Sequence, residues 1–397
     1  MASLISPPLG LYVHFPWCVR KCPYCDFNSY TLKGELEQAG YVARLVRDLE
    51  AQAPEVQARE VGSIFFGGGT PSLFAPEAIG RLLGAVRRHL RVAPDAEVTL
   101  EANPGAIERG AFREYRAAGI TRVSLGAQSF AAGALQALGR IHSPADTQRA
   151  AQELHAAGMS NFNLDLMYGL PGQELAGAVR DIEEALALAP EHLSHYQLTL
   201  EPGTVFAAQP PPLPDQDECA AILEECRSRL AARGFVHYEV SAYARAGAQC
   251  RHNLNYWNFG DYLGVGAGAH GKLTYAGAGR IVRTTQLREP RRYLSAPDAA
   301  LPRRTVPPRE LAFEFMLNAL RLRAGFDMAT FSARTGLAPD TIAAPLRAAL
   351  DAELLEATAA GYRASARGLD FLNDLLLYFL PEIPKNSGAS TLSMATS

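Results

Sequence analysis

The sequence predicts an α/β chain: a partial barrel of six β/α units with a small α+β domain behind it. Three observations carry that prediction. Short β-rich runs alternate with amphipathic helical segments between Leu11 and Leu200. The chemically distinctive runs mostly follow those strands directly, where parallel α/β folds place ligands. After about Glu201 the alternation gives way to a proline connector, a Gly- and aromatic-rich region and then helices.

The β-rich runs are Leu11 to Phe15, Ser63 to Phe66, Glu97 to Glu101, Arg122 to Gly126, Asn163 to Met167 and Leu193 to Leu200. Between them Glu77 to Leu90, Arg109 to Ala118, Pro144 to Ala157 and Leu175 to Ala189 carry Ala, Leu, Arg and Glu in amphipathic order. Strand–helix–strand repeats imply right-handed crossovers and a parallel sheet. Six units favour a barrel, full or partial; a doubly wound sheet stays open, because periodicity does not set strand order. Residues 1–235 make up this core. Pro210 to Pro214 is a stiff connector within it, followed by a helix over Asp217 to Ala232 on which Cys219 and Cys226 read as packed thiols. Residues 236–301 form the Gly- and aromatic-rich extension. Pro302 to Pro308 reads as a linker at the start of a winged-helix-like domain over 302–385. That domain holds a helix over Arg309 to Arg323, with Leu311, Phe315 and Leu322 on one face, and helices near Met328 to Arg334 and Pro339 to Asp351. A strand pair around Gly361 and a last helix over Leu369 to Leu380 complete it. The Ser/Thr-rich tail, 386–397, is expected to be disordered.

Composition narrows the function. With 48% apolar and 20% charged residues the chain has ordinary globular material for a sizeable core. A net charge of −3 argues against nucleic acid, which needs concentrated Lys and Arg, and Pro339 to Asp351 carries only Arg347 as a basic residue. No run approaches the roughly 20 apolar residues that span a bilayer, and Met1 to Gly10 lacks the order of a secretory signal. Three of the six cysteines fall between Cys18 and Cys25, unlike a disulfide framework. The expectation is a cytoplasmic protein in a reducing compartment.

Cys18, Cys22 and Cys25 follow the first strand. Thiolates are the usual iron–sulfur ligands, and three of them on one loop leave the fourth iron of a cluster open to a further ligand. A zinc site would want a fourth Cys or His, and the nearby His14 sits back on the preceding strand, four residues before the first thiol. Gly67-Gly68-Gly69-Thr70-Pro71 follows the second strand. It is either a ligand-approach loop offering backbone polar groups or a tight βα turn.

A Cys-x-x-x-Cys-x-x-Cys loop followed one unit later by a glycine-rich strand end resembles the radical S-adenosylmethionine superfamily. The resemblance implies a [4Fe–4S] cluster on Cys18, Cys22 and Cys25, with S-adenosyl-L-methionine chelated by the open iron. The runs Leu100 to Pro104, Gly126 to Phe130, Leu138 to His142 and Asn163 to Pro171 resemble the branch holding the oxygen-independent coproporphyrinogen III oxidases. That branch implies a nucleotide site lined by Tyr12, Tyr24, Gly68, Gly69, Thr70, Glu101, Gln128, Arg140 and Asp165. Glu101 would take the ribose hydroxyls and Arg140 would face a carboxylate. Two departures stand out: Phe27 occupies the position of a further cysteine of the oxidases, and their N-terminal extension is absent here. Both put porphyrinogen decarboxylation in doubt.

Arg251 to Trp257, ahead of the glycine-rich Gly264 to Gly271, is similar to the HemW subfamily with its His-Asn-x-x-Tyr-Trp motif. This resemblance implies a haem chaperone, with haem as a further cofactor and haem-accepting proteins such as respiratory cytochromes as partners. Histidine is a standard axial ligand, and Tyr256 and Trp257 offer flat faces to a macrocycle. His252 is the candidate, with His270 and Cys250 as alternatives; a His-Asn pair before aromatics is equally a structural network. A homodimer stays open. The two functional expectations are therefore a haem chaperone and a coproporphyrinogen oxidase, and Phe27, the short N-terminus and the Arg251 to Trp257 run favour the first.

Overall fold

The computed structural model describes residues 3–105, 111–297 and 301–381. Each of the six predicted strands is present: β1 Leu9–Phe15, β2 Glu60–Gly68, β3 Arg91–Ala102, β4 Arg122–Gln128, β5 Phe162–Tyr168 and β6 His192–Gln197. Further strands are β7 Val236–Glu239, β8 Ala242–Ala244, β9 Asp261–Val265, β10 His270–Tyr275, β11 Arg280–Thr285 and β12 Arg303–Thr305. All twelve join one sheet in the order β12-β11-β10-β9-β1-β2-β3-β4-β5-β6-β8-β7. Strands β1 to β6 are laid down in sequence and all pair in parallel. A doubly wound sheet would reverse direction at a switch point, so the sequential order selects the barrel type. The sheet is open, because its outer strands β12 and β7 do not pair.

Alternation on the strands sorts the two faces. On β1, Leu9, Leu11, Val13 and Phe15 enter the main core with Tyr41, Leu45, Ile79 and Leu82 of the covering helices. Gly10 and Tyr12 face the interior, where they meet Ser63, Phe65 and His252. The helices begin and end where local chemistry dictates. Helix Pro76–His89 starts on proline and ends on Arg87, Arg88 and His89, favourable to the helix dipole. Helix Pro144–Ala156 is closed by a Ser143/Asp146 capping box. Of the predicted helix Arg109 to Ala118, the described part is Phe112–Ala118, and residues 106–110 lie outside the described residues.

The 236–301 stretch contributes five strands to this same sheet. β9 lies parallel to β1, Leu9 opposite Asp261; β10 and β11 continue antiparallel beside it, and β7 and β8 form the opposite edge. The expected linker Pro302 to Pro308 is corrected in part: Arg303–Thr305 is an edge strand paired with β11. Arginines at 303 and 304 with prolines on either side suit an edge that must not recruit another chain.

The C-terminal part has its own core, in which Phe315 packs edge-on against Phe326 and Phe331 at 5.4 and 5.3 Å. Its first helix spans Pro308–Ala319 rather than running to Arg323. Leu322 is drawn off by a backbone bridge to Glu239, whose carboxylate pairs with Arg321 at 3.2 Å. Pro339–Ile342 is a 3-10 turn before helix Ala343–Asp351, and the predicted last helix is two short ones, Ala366–Asp370 and Leu372–Leu377. The hairpin Leu355–Ala357/Tyr362–Ala364 matches the expected pair. The tail lies outside the described residues. Among the described residues no helix is long and apolar enough to cross a membrane.

Candidate functional site

The cysteine loop leaves β1 at Phe15 and is tied down at both ends. Trp17–Cys18 and Tyr30–Thr31 pair as a two-residue parallel ladder. Lys21 Nζ donates to the carbonyls of Phe27 and Ser29, both at 3.0 Å. The glycine run after β2 passes directly beneath: Gly69 N donates to Phe15 O at 2.7 Å and Thr70 N to Trp17 O at 2.8 Å. A Cβ on Gly69 would stand 2.5 Å from Trp17 O. The close approach of two loops therefore requires glycine there, whatever ligand is also met.

The three thiols are partly exposed and unpaired. Burial pushes Cys18 up to about 11 and Cys25 upward as well, so in the bare loop they are protonated and metal binding would release protons. Polar donors wait beside them: Arg140 Nη1 lies 3.8 Å from Cys22 Sγ and Ser29 Oγ 3.7 Å from Cys25 Sγ. Among the described residues no three His, Cys, Asp or Glu side chains converge as ligands to a single metal ion. An iron–sulfur cluster asks for something different, since each thiolate binds its own iron and the sulfurs stand apart. Three thiols on one loop, opening on a cavity, fit that demand.

The predicted nucleotide residues fall into two adjoining groups. The first lines a cavity of about 230 Å³ together with Cys18 and Cys22: Thr70 and Arg140, joined by Asn103 and His142. Asn103 Nδ2 donates to Thr70 Oγ1 at 2.9 Å, and Arg140 donates to Asn103 Oδ1 and, at 2.8 Å, to Gly126 O. Tyr24 stands beside Arg140 and Cys22 and packs on Phe206 at 6.3 Å. The second group, Tyr12, Gly68, Glu101, Gln128 and Asp165, lies inside the barrel. Glu101 Oε2 accepts from Gly68 N at 3.0 Å. Asp165 accepts from Ser124 and Asn163 at 3.0 and 2.7 Å, and Gln128 Oε1 accepts from Tyr196 at 2.8 Å. Asn103 and His142 lay within the quoted runs without a role assigned; Tyr196 had no local signal beyond its strand. His14 is no metal ligand: its ring is held by Tyr12 and by Asn28 O, both at 2.9 Å.

Burial, and then the neighbouring Asp165, push Glu101 up to about 8. Between the ordinary carboxylate range and that value the folded chain keeps a proton that the unfolded chain has released, so Glu101 makes stability fall as pH rises through this window. Glu101→Gln is expected to flatten the fall in urea titrations of ligand-free protein at about pH 5 and about pH 8.5. An unchanged slope removes Glu101 as its source.

His252 lies away from the cysteine loop. It sits on helix Arg251–Trp257, which covers the amino ends of the barrel strands: its Nδ1 meets Ser63 Oγ at 3.0 Å, near the start of β2, while the cysteine loop lies beyond the carboxyl ends. The ring is 1% exposed, its Nε2 is bonded to Tyr256 OH at 2.8 Å, and it stacks on Phe65 at 5.2 Å. Both ring nitrogens thus make hydrogen bonds inside the protein, at the floor of the barrel. Cys250 is buried there too, its Sγ 3.6 Å from Glu97. Trp257 stacks with Arg321 at 4.3 Å.

Comparison with known proteins agrees with this geometry. The model of the radical SAM superfamily matches residues 12–187, and that of the HemN C-terminal domain matches residues 306–371. The chain is 48% identical over 381 residues to the heme chaperone HemW of Escherichia coli, covering 95% of this chain and 99% of that protein. It is 44% identical over 380 residues to the heme chaperone HemW of Haemophilus influenzae, with 95% and 99% covered. The structure of coproporphyrinogen III oxidase (HemN) from Escherichia coli, a radical SAM enzyme, shares the fold, with a TM-score of 0.80 at 22% identity over 94% of this chain and 90% of that one. The chain belongs to the HemW family of the radical SAM superfamily.

Proposed function

We propose that this chain is a cytoplasmic haem chaperone that binds haem and passes it to acceptor haemoproteins such as respiratory cytochromes, on a scaffold holding a [4Fe–4S] cluster and S-adenosylmethionine. The observation that carries this reading is near-full-length similarity to proteins named heme chaperones. Phe27, where the oxidases carry a further cysteine, supports it against the oxidase reading.

Cys18, Cys22 and Cys25 would hold the cluster as thiolates, which leaves one iron open to chelation. The chain's own residues then sort the nucleotide. Arg140, already fixed by Asn103 and Gly126, offers a guanidinium to a carboxylate. Glu101 and Asp165, inside the barrel, accept from sugar hydroxyls, and those donors make ionisation of Glu101 easier than in the empty site. Tyr12 supplies an aromatic wall, stacked on Phe65 at 6.3 Å.

The test is anaerobic reconstitution followed by either haem or coproporphyrinogen with S-adenosylmethionine. Uptake of one haem per chain, release to an apo-cytochrome and no protoporphyrinogen is the expected result. Multiple turnovers of the porphyrinogen would establish the oxidase instead.

A further inference from the structure

Haem ligation needs an accessible ring nitrogen or thiolate, and that requirement sorts the chain's nine histidines. His14, His142, His192, His195 and His252 are buried, as are Cys219, Cys226 and Cys250. Three more spend Nε2 on the protein: His89 on Glu50 at 3.3 Å, His155 on Leu188 O at 2.9 Å and His237 on Val240 O at 3.2 Å. Among the described residues His270 is what remains. It is exposed, its Nδ1 lies 3.4 Å from Thr285 Oγ1, and its Nε2 makes no hydrogen bond.

Its position is at the other end of the barrel from His252. β9 runs parallel to β1 and delivers its carboxyl end beside the cysteine loop; the chain turns there and β10 begins at His270. The loop is pinned to this turn. Asn28 Nδ2 donates to Ala267 O and to Arg288 O, both at 3.0 Å. Gly268 adopts φ +81, and a Cβ on it would strike the Asn28 side chain. Phe27, next to Asn28, is 53% exposed. Arg288 is also exposed; only its Nε is engaged, 3.4 Å from Asn28 Oδ1.

We propose that haem is taken at this rim, with its iron on His270 Nε2, its macrocycle against Phe27 and a propionate on Arg288. The proposal rests on the haem-chaperone reading and gives it a location. A flat apolar ring carrying carboxylates at its edge is the occupant that matches an open imidazole, an exposed aromatic face and an uncommitted guanidinium. Phe27 thereby acquires a use at a loop position where the resemblance places a further cysteine of the oxidases.

The full-length chain, reconstituted anaerobically, is titrated with ferric haem and followed through the Soret band. His270→Ala is expected to weaken binding by at least about tenfold, a difference readily resolved in Kd, with the cluster absorbance unchanged. His270→Met is expected to retain haem with a band shifted by the change of ligand atom, which a fold defect would not produce. Wild-type affinity and spectrum in His270→Ala overturn the assignment while leaving the haem reading standing. Failure of the wild-type chain to take up haem overturns both.

Discussion

Cys22→Ser is expected to yield a folded chain that no longer assembles an iron–sulfur cluster. Serine preserves the shape of the side chain but supplies a hard, protonated oxygen where iron calls for a soft thiolate. Changes outside the ligand shell already cost roughly 10–100-fold in metal affinity, so loss of a ligand exceeds that. Cys22 is the most consequential of the three to remove, because Arg140 reaches its sulfur from across the cavity and is itself fixed by Asn103 and Gly126. The readout is iron and sulfide per chain after anaerobic reconstitution, beside the urea midpoint. The thiol is partly exposed and belongs to neither core, so stability is expected to stay within about 0.5 kcal/mol. Serine at Cys226, which its helix buries in the main core, should do the reverse: iron intact, stability reduced. Full cluster content in Cys22→Ser would remove this loop as the iron site.

The largest expected loss of stability comes from a residue outside the site. Asp261 is 0% exposed and accepts four bonds: from Lys272 Nζ at 2.9 Å, and from Arg59 Nη1 and the Thr274 amide and hydroxyl at 2.8 Å each. Lys272 is 1% exposed and also lies over the Phe259 ring at 4.2 Å. Asp261→Asn keeps the size and removes the charge, leaving a buried ammonium without its counter-ion. Breaking such a pair costs about 3–5 kcal/mol. Urea unfolding should show that loss, while Arg91→Ala, which removes an exposed pair with Glu60, should stay within about 0.5 kcal/mol. A loss below about 1 kcal/mol for Asp261→Asn would mean that Lys272 has shed its proton or found water.

Much of this architecture was legible because short β-rich runs alternate with amphipathic helical segments, and the site residues sit on or just after those runs. What escaped is instructive. β9 lies in a glycine-rich stretch whose composition conceals a strand that only its neighbour β1 justifies. β12 hides between prolines, with no apolar residue to announce it. At the site, Cys18, Cys22, Thr70 and Arg140 line one cavity, and Asn103 and His142 join them through cross-loop contacts that no local pattern encodes. The place of His252 was not legible for the same reason: its motif is visible, whereas the end of the barrel it closes depends on Ser63, far away in the chain.

The pairing of Leu9 with Asp261 also sets an order of events during synthesis. β1 leaves the ribosome first, yet one of its two edges waits for a strand about 250 residues further along the chain, and such distant pairings form slowly. Until then the strand that carries the cysteine loop exposes a bare ladder of backbone groups, a template for aggregation. A chain truncated before Asp261 lacks the strand that pairs with one edge of β1.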